Sequence, residues 1–266
     1  MDTERVHKRN AEILLLWGIQ PNPAKETPTH TITRDGLIDL MHSIERKIEG
    51  SGCHVVPTSF EPLERTLSGF PRQLQWTWRS CERALRKMGS KSVMSMLPKF
   101  WQIEPALNTS CRNIGAMLFP NEPENLPIGA AAIQSIGIDT IVCGVGDSAR
   151  FSLYLAERNI LSPSWVLIHR IDSPTWEIPI AVGGTHVAQE VHLFPGVPVL
   201  TQCDTLIEEQ KPRFHPSDSY IWEIGTETCI TSIDNDPFPL TRLILPTAIQ
   251  ATGSCPCGRR VIEKKP

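Results

Sequence analysis

Apolar and polar positions alternate along this chain with two different periods. Residues 5–20 place Ile13, Leu14, Leu16 and Trp17 on one face of an amphipathic helix, and Pro21 and Pro23 stop it. Residues 33–49 repeat the helical period through Leu37, Leu40, Met41, Ile44 and Ile48, with Thr33 or Asp35 as cap and Gly50 and Gly52 as the stop. A third helix is expected near 72–88. Its aromatics, Trp76 and Trp78, read as core residues rather than a stacking surface for nucleic acid, because no basic stripe is evident beside them.

From residue 113 the pattern changes. NIGAMLFP reads as a strand, PIGAAAIQSIG as an Ala-rich helix, IDTIVCGV as a strand and GDSARFSLYLAERN as a helix. Strand–helix alternation of this kind predicts parallel strands joined by right-handed crossovers. WVLIHRI, IPIAVGG and VPVLTQ suggest further strands, and short strands and turns alternate after Ser219. The expected fold is α/β: a parallel-sheet layer flanked by helices, with a helical N-terminal region and a small β-rich C-terminal piece. The expected division is 1–95, 96–200 and 201–266.

Composition adds limits. With 266 residues, 40% hydrophobic and 21% charged, the chain can bury a sizeable core. A net charge of -3 favours neither nucleic acid nor an anionic membrane. No apolar run reaches the ~18 residues of a membrane helix. The stretch Ile13–Trp17 is shorter than a signal-peptide core of ~7 residues, so a cytoplasmic protein is expected. Eight cysteines in a chain this long do not form a disulfide framework. Cys53, Cys81, Cys111, Cys143 and Cys229 stand singly and read as buried hydrophobes or free thiols.

Candidate chemistry concentrates near the end. Cys255 and Cys257 offer two thiolates at a Gly-containing turn, His215 offers an imidazole, and Cys203 lies twelve positions before it. Three thiolates and one imidazole make a closed structural zinc site, although one residue between paired cysteines is fewer than zinc knuckles use. Free thiols are the competing reading. GVGDS at 144–148 closes a strand and opens a helix; it can present N–H groups to an anion or simply form a turn capped by Asp147 or Ser148. Gly183, Gly184, Thr185 and His186 pose the same choice. No GxSxG elbow occurs, and no basic partner marks Cys203 as a nucleophile.

From about Asn113 to Arg260, the order of these features resembles the adenylate-forming enzymes, in particular phenylacetate-CoA ligases and their relatives. Gly115, Ala116 and Ser148 fall in a segment like the family's Gly-Ala and Ser-containing region. IAVGGTH is similar to the strand ending in Gly-Gly-Glu, FHPSDSYIWEI to the His-to-Glu-Ile stretch, CITSIDNDPFPLTR to the segment containing the Pro-x-x-Arg element, and SCPCGR to the Cys-x-Cys-Gly-Arg element. The resemblance implies a carboxylate-activating scaffold that uses ATP and passes an acyl group to a thiol. It implies nucleotide or substrate binding at Gly183, Gly184, Thr185, Arg242 and Thr247. It also implies a structural zinc on Cys203, His215, Cys255 and Cys257, as in some relatives.

The departures are as informative. Nothing between 85 and 113 resembles the family's phosphate loop. Where Tyr-Gly-x-Thr-Glu is expected, the chain reads TQCDTLIEE, with Glu208 or Glu209 as displaced acids. The Gly-Gly-Glu acid has become Thr185. Thr247 stands near the place of a ribose-gripping aspartate, and the usual lysine-bearing C-terminal domain is expected to be absent. Each change removes a donor or charge that handles triphosphate. The expectation is a reduced ligase-like protein, doubtful as an ATP binder, that acts as a subunit for an acyl or aryl carboxylate or for a partner enzyme or carrier protein. The alternatives are a short ligase with a rebuilt site and a structural protein without a small ligand.

Overall fold

The computed structural model describes residues 8–12, 53–55, 69–71, 78–98, 103–184, 186–193, 198–203, 213–233 and 242–265. The expected helix at 33–49 lies outside them. Of the one expected at 5–20, residues 8–12 are described, and they are helical. The chain divides into two compact units, Gln75–Pro212, and Met1–Leu74 with Arg213–Pro266. In the latter, β1 (Cys53–Val55) pairs antiparallel with β2 (Gly69–Pro71).

The unit Gln75–Pro212 is an α/β layer. It runs α1 (Arg79–Met88), β3 (Ser92–Met96), α2 (Glu104–Ile114), β4 (Met117–Pro120), α3 (Leu126–Ile136), β5 (Thr140–Gly144), α4 (Val145–Ala156), β6 (Ser164–Arg170), β7 (Val187–His192) and β8 (Pro198–Gln202). The strands are ordered β8-β7-β6-β5-β3-β4. All neighbours are parallel except β7 and β8. Strands β3 and β5 are buried at every position, as expected of parallel strands covered on both faces. Met94, Met96, Ile141, Cys143, Phe151, Leu155, Trp165 and Leu167 form one core cluster. Phe151 and Trp165 meet edge to face, with centroids 6.4 Å apart.

Local chemistry explains where elements differ from the sequence pattern. NIGAMLFP is not one strand: Asn113 and Ile114 end α2, Gly115 closes it at φ 71, and β4 begins at Met117. Glycine reaches this left-handed conformation without a Cβ penalty. The described part of the third helix starts at Arg79, after Trp78. IPIAVGG is not a strand either. Its polar backbone groups bond to side chains instead: Ser152 Oγ donates to the Ala181 carbonyl, and Trp165 Nε1 donates to the Gly183 carbonyl at 2.6 Å.

The described residues of the other unit are mainly antiparallel. They form β9 (Phe214–Pro216), β10 (Tyr220–Ile224), β11 (Thr228–Ser232), β12 (Leu243–Ile244), β13 (Ile249–Ser254) and β14 (Arg260–Lys264). β10, β11 and β12 make one antiparallel sheet. β13 and β14 form a hairpin with a bulge between Ala251 and Gly253, and β14 also pairs with β9 through Ile262 and Phe214. The helical residues 8–12 attach to β11. Arg9 Nε donates to the Ser232 carbonyl at 3.0 Å, and the Thr231 hydroxyl donates to Asn10 Oδ1 at 3.1 Å. Among the described residues, no helix is long and apolar enough to cross a membrane.

Candidate metal centre and ligand-binding positions

The tip of the β13–β14 hairpin brings its two cysteines to one place. The Cys255 N–H donates to the Arg259 carbonyl at 2.7 Å, and the Gly258 N–H donates to the Cys255 carbonyl at 2.8 Å. This tight turn spans the Cys-Pro-Cys-Gly run. Its far strand, β14, pairs with β9, which carries His215. The His215 ring is fully buried, and its Nδ1 lies 2.8 Å from the Arg260 carbonyl. A carbonyl only accepts, so Nδ1 carries the proton and Nε2 presents its lone pair. That lone pair faces Cys257 Sγ at 3.3 Å.

The candidate ligand atoms of Cys203, His215, Cys255 and Cys257 all lie within 4.8 Å of one another. Tetrahedral zinc, with bonds of about 2.3 Å to sulfur and about 2.0 Å to nitrogen, sets its ligands roughly 3.3–3.8 Å apart. The cluster therefore fits a metal of this size with a small contraction. The backbone carbonyl on His215 Nδ1 is the kind of outer partner that fixes the tautomer of a ligating imidazole. The short Cys-x-Cys spacing is accommodated because the other two ligands arrive from separate segments.

The single cysteines behave differently. Cys81, Cys111, Cys143 and Cys229 are free and buried. Burial pushes the Cys81 and Cys143 thiols well above their ordinary range and raises Cys111 to about 11. Such thiols are packing residues and poor nucleophiles.

The positions implied for nucleotide or substrate are in ordered surroundings. The Gly183 carbonyl accepts from Trp165 Nε1 and from Ser162 Oγ at 2.8 Å, and its N–H donates to Ser152 Oγ at 3.3 Å. Gly184 has φ 138, and a Cβ there would collide with the Pro163 carbonyl. A glycine is thus required by close backbone packing alone. Thr185, Glu208 and Glu209 lie outside the described residues. Arg242, at φ 40, donates its N–H to Thr231 Oγ1 at 3.0 Å and pairs through Nε with Glu223 at 3.0 Å. Thr247 is buried in the same unit. At the start of α4, neither Asp147 nor Ser148 caps the helix; Ser148 Oγ donates to the Val145 carbonyl at 2.7 Å.

His169 and His192, lone histidines that read from sequence as satisfied residues rather than catalytic ones, lie in two buried polar clusters. Glu190 Oε2 accepts from Trp78 Nε1 at 2.7 Å and lies 2.8 Å from His192 Nε2. His169 Nε2 lies 2.7 Å from Gln189 Oε1. Both pairs are almost fully buried. Burial holds the His169 imidazole down to about 4, against the opposing hydrogen bond to Gln189. The only sequence signal was the presence of Gln, Glu and His in an otherwise apolar strand.

Comparison with known proteins agrees with this fold. No family model matches the sequence, and no curated protein matches it. Among solved structures, the chain is similar to 2-hydroxyisobutyryl-CoA ligase in an open conformation with 2-HIB-AMP and CoA. The TM-score is 0.64 and the identity 13%, over 98% of this chain and 65% of that one. The same ligase in its postadenylation state with 2-HIB-AMP gives a TM-score of 0.61 at 14% identity, over 98% of this chain and 64% of that one. The chain thus spans just under two thirds of the length of these ligases. The likeness is one of fold.

Proposed function

We propose that this chain is a reduced adenylate-forming scaffold that binds a carboxylate or its acyl-adenylate, does not complete acyl activation alone, and serves a partner enzyme or carrier protein. The observation that carries this reading is the fold likeness across 98% of the chain to a ligase crystallised with 2-HIB-AMP. The sequence departures at Thr185 and Thr247, and through TQCDTLIEE, weigh against triphosphate chemistry. Fold outlasts such losses more readily than activity does.

In the same reading, zinc is held by Cys203, His215, Cys255 and Cys257 and has a structural role. Four protein ligands leave no open position for a substrate or an activated water. In the same reading, Gly183, Gly184, Thr185, Arg242 and Thr247 take part in binding the carboxylate or its adenylate.

Titration calorimetry with a non-hydrolysable acyl-adenylate and with free 2-hydroxyisobutyrate tests the binding role. Pyrophosphate exchange with a panel of carboxylic acids tests activation. Binding without exchange is expected. Exchange above background would instead make the chain a ligase with a rebuilt site. Failure of every carboxylate and adenylate to bind would remove the ligand role.

A further inference from the structure

The one-dimensional pattern suggests no basic stripe beside Trp78, yet α1 carries one. Arg79, Arg83, Arg86 and Lys87 are all exposed. At about 100° per residue, their side chains fall within an arc of roughly 100°. The buried residues Cys81 and Leu85 occupy the opposite side. Lys91, also exposed, follows directly after the helix closes at Gly89. The acidic residue at the edge of this face is Glu82, which pairs with Arg86 at 2.8 Å and accepts from Asn113 at 2.9 Å. Arg79 and Arg83 form no ion pair among the described residues. In a chain of net charge -3, this is a local field of the opposite sign.

The shape of the face narrows its partner. A helix of ten residues is about 15 Å long and convex, and its cations recur at i, i+4 and i+7. Carboxylates on one face of another helix recur with the same spacing. Single- or double-stranded nucleic acid would call for a longer track of cations or for exposed aromatic rings, and Trp78 is buried with its Nε1 committed to Glu190. A membrane surface would call for apolar side chains on the same arc, and this arc holds only charged ones. We propose that the outward face of α1 docks a partner protein that presents carboxylates along one acidic helix. The surface stands on exposure, spacing and charge, and is independent of whether the chain binds a carboxylate.

The experiment uses the whole chain and a synthetic amphipathic helix with glutamates at i, i+4 and i+7, followed by fluorescence anisotropy at low salt. The double charge reversal Arg79→Glu/Arg83→Glu is expected to weaken binding at least about tenfold, with most of the change in the association rate and its salt dependence. Circular dichroism should show the variant folded, since neither side chain is buried. Should it not fold, Arg83→Gln alone is expected to weaken binding severalfold. Duplex DNA and phosphatidylserine vesicles serve as competing probes. No detectable peptide binding, or binding indifferent to both substitutions, overturns the proposal. So does tighter, substitution-sensitive binding of the DNA or the vesicles.

Discussion

The two units hold themselves together by different means. The α/β unit buries whole strands: β3 and β5 are buried throughout, and Phe151, Trp165, Leu155 and Met94 are fully enclosed. At about 25 cal/mol per Å² of apolar surface, such a core is self-sufficient. The described part of the other unit is built from strands of two to six residues. Its hairpin strand β13 is exposed over its last four residues. Short strands with one thin apolar face rarely stand alone. His215, Cys255 and Cys257 belong to this unit, so a metal on them can supply what its core does not.

That contrast is broken most directly by removing the metal. Small zinc-held domains draw on the order of 10 kcal/mol from the ion at neutral pH. Chelation at pH 7, or the pair of substitutions Cys255→Ser and Cys257→Ser, is expected to abolish the unfolding transition of the β-rich unit, which supplies His215, Cys255 and Cys257. Calorimetric scans with metal analysis of the same sample check this. Two unchanged transitions after chelation would end the metal assignment.

The opposite substitution should strike only the other unit. Phe151 is fully buried, touches Trp165 edge to face and supports the core cluster. Phe151→Ala is expected to cost about 3–5 kcal/mol, as large cavities in well-packed cores do. Urea unfolding followed by tryptophan fluorescence reads it. A loss under about 1 kcal/mol would mean that the α/β core is far looser than its burial indicates.

How much of this was legible beforehand follows the range of the interactions. The parallel layer announces itself in IDTIVCGV and GDSARFSLYLAERN because strand and helix periods are local. The cluster of Cys203, His215, Cys255 and Cys257 was readable because few residue types ligate zinc. The strand expected at IPIAVGG failed because tertiary hydrogen bonds from Ser152 and Trp165 overrode a β-prone sequence. The start of β4 was misplaced because Gly115 ends α2 inside an apolar run. The Trp78–Glu190 bond joins residues 112 apart, and no local pattern marks it. The basic face of α1 is spread over nine positions and becomes a stripe only once the helix is wound.

His169 gives the α/β unit a pH dependence of its own. Burial keeps His169 neutral in the folded state, down to about 4 from an ordinary 6.5. Its hydrogen bond to Gln189 opposes this, and the nearby His192 reinforces it. The unfolded chain therefore binds the proton first as pH falls. This contribution is complete above about pH 6.5 and is lost progressively down to about pH 4; the full gap corresponds to about 3 kcal/mol. Denaturant midpoints of the α/β transition at several pH values should fall across that window. In His169→Gln, which cannot titrate, the fall should be smaller, whatever the variant costs in overall stability. An equal fall in both proteins would assign the acid sensitivity to other groups.

The smallest expected effect separates stability from recognition on α1. Arg86 and Glu82 form a surface pair at 2.8 Å with i,i+4 spacing, and the Arg86 side chain is 63% exposed. Exposed pairs of this kind contribute about 0.3–0.5 kcal/mol, because solvent screens them and ordering two long side chains offsets the attraction. A double-mutant cycle with Arg86→Ala and Glu82→Ala should give a coupling no larger than that. Adding salt should remove it. Glu82→Ala should cost slightly more than Arg86→Ala, since Glu82 also accepts from Asn113. A coupling above about 1 kcal/mol would make the face part of the α/β scaffold. A value near zero would leave its cations without a structural reason to be grouped on one side of the helix, which is what a docking surface requires.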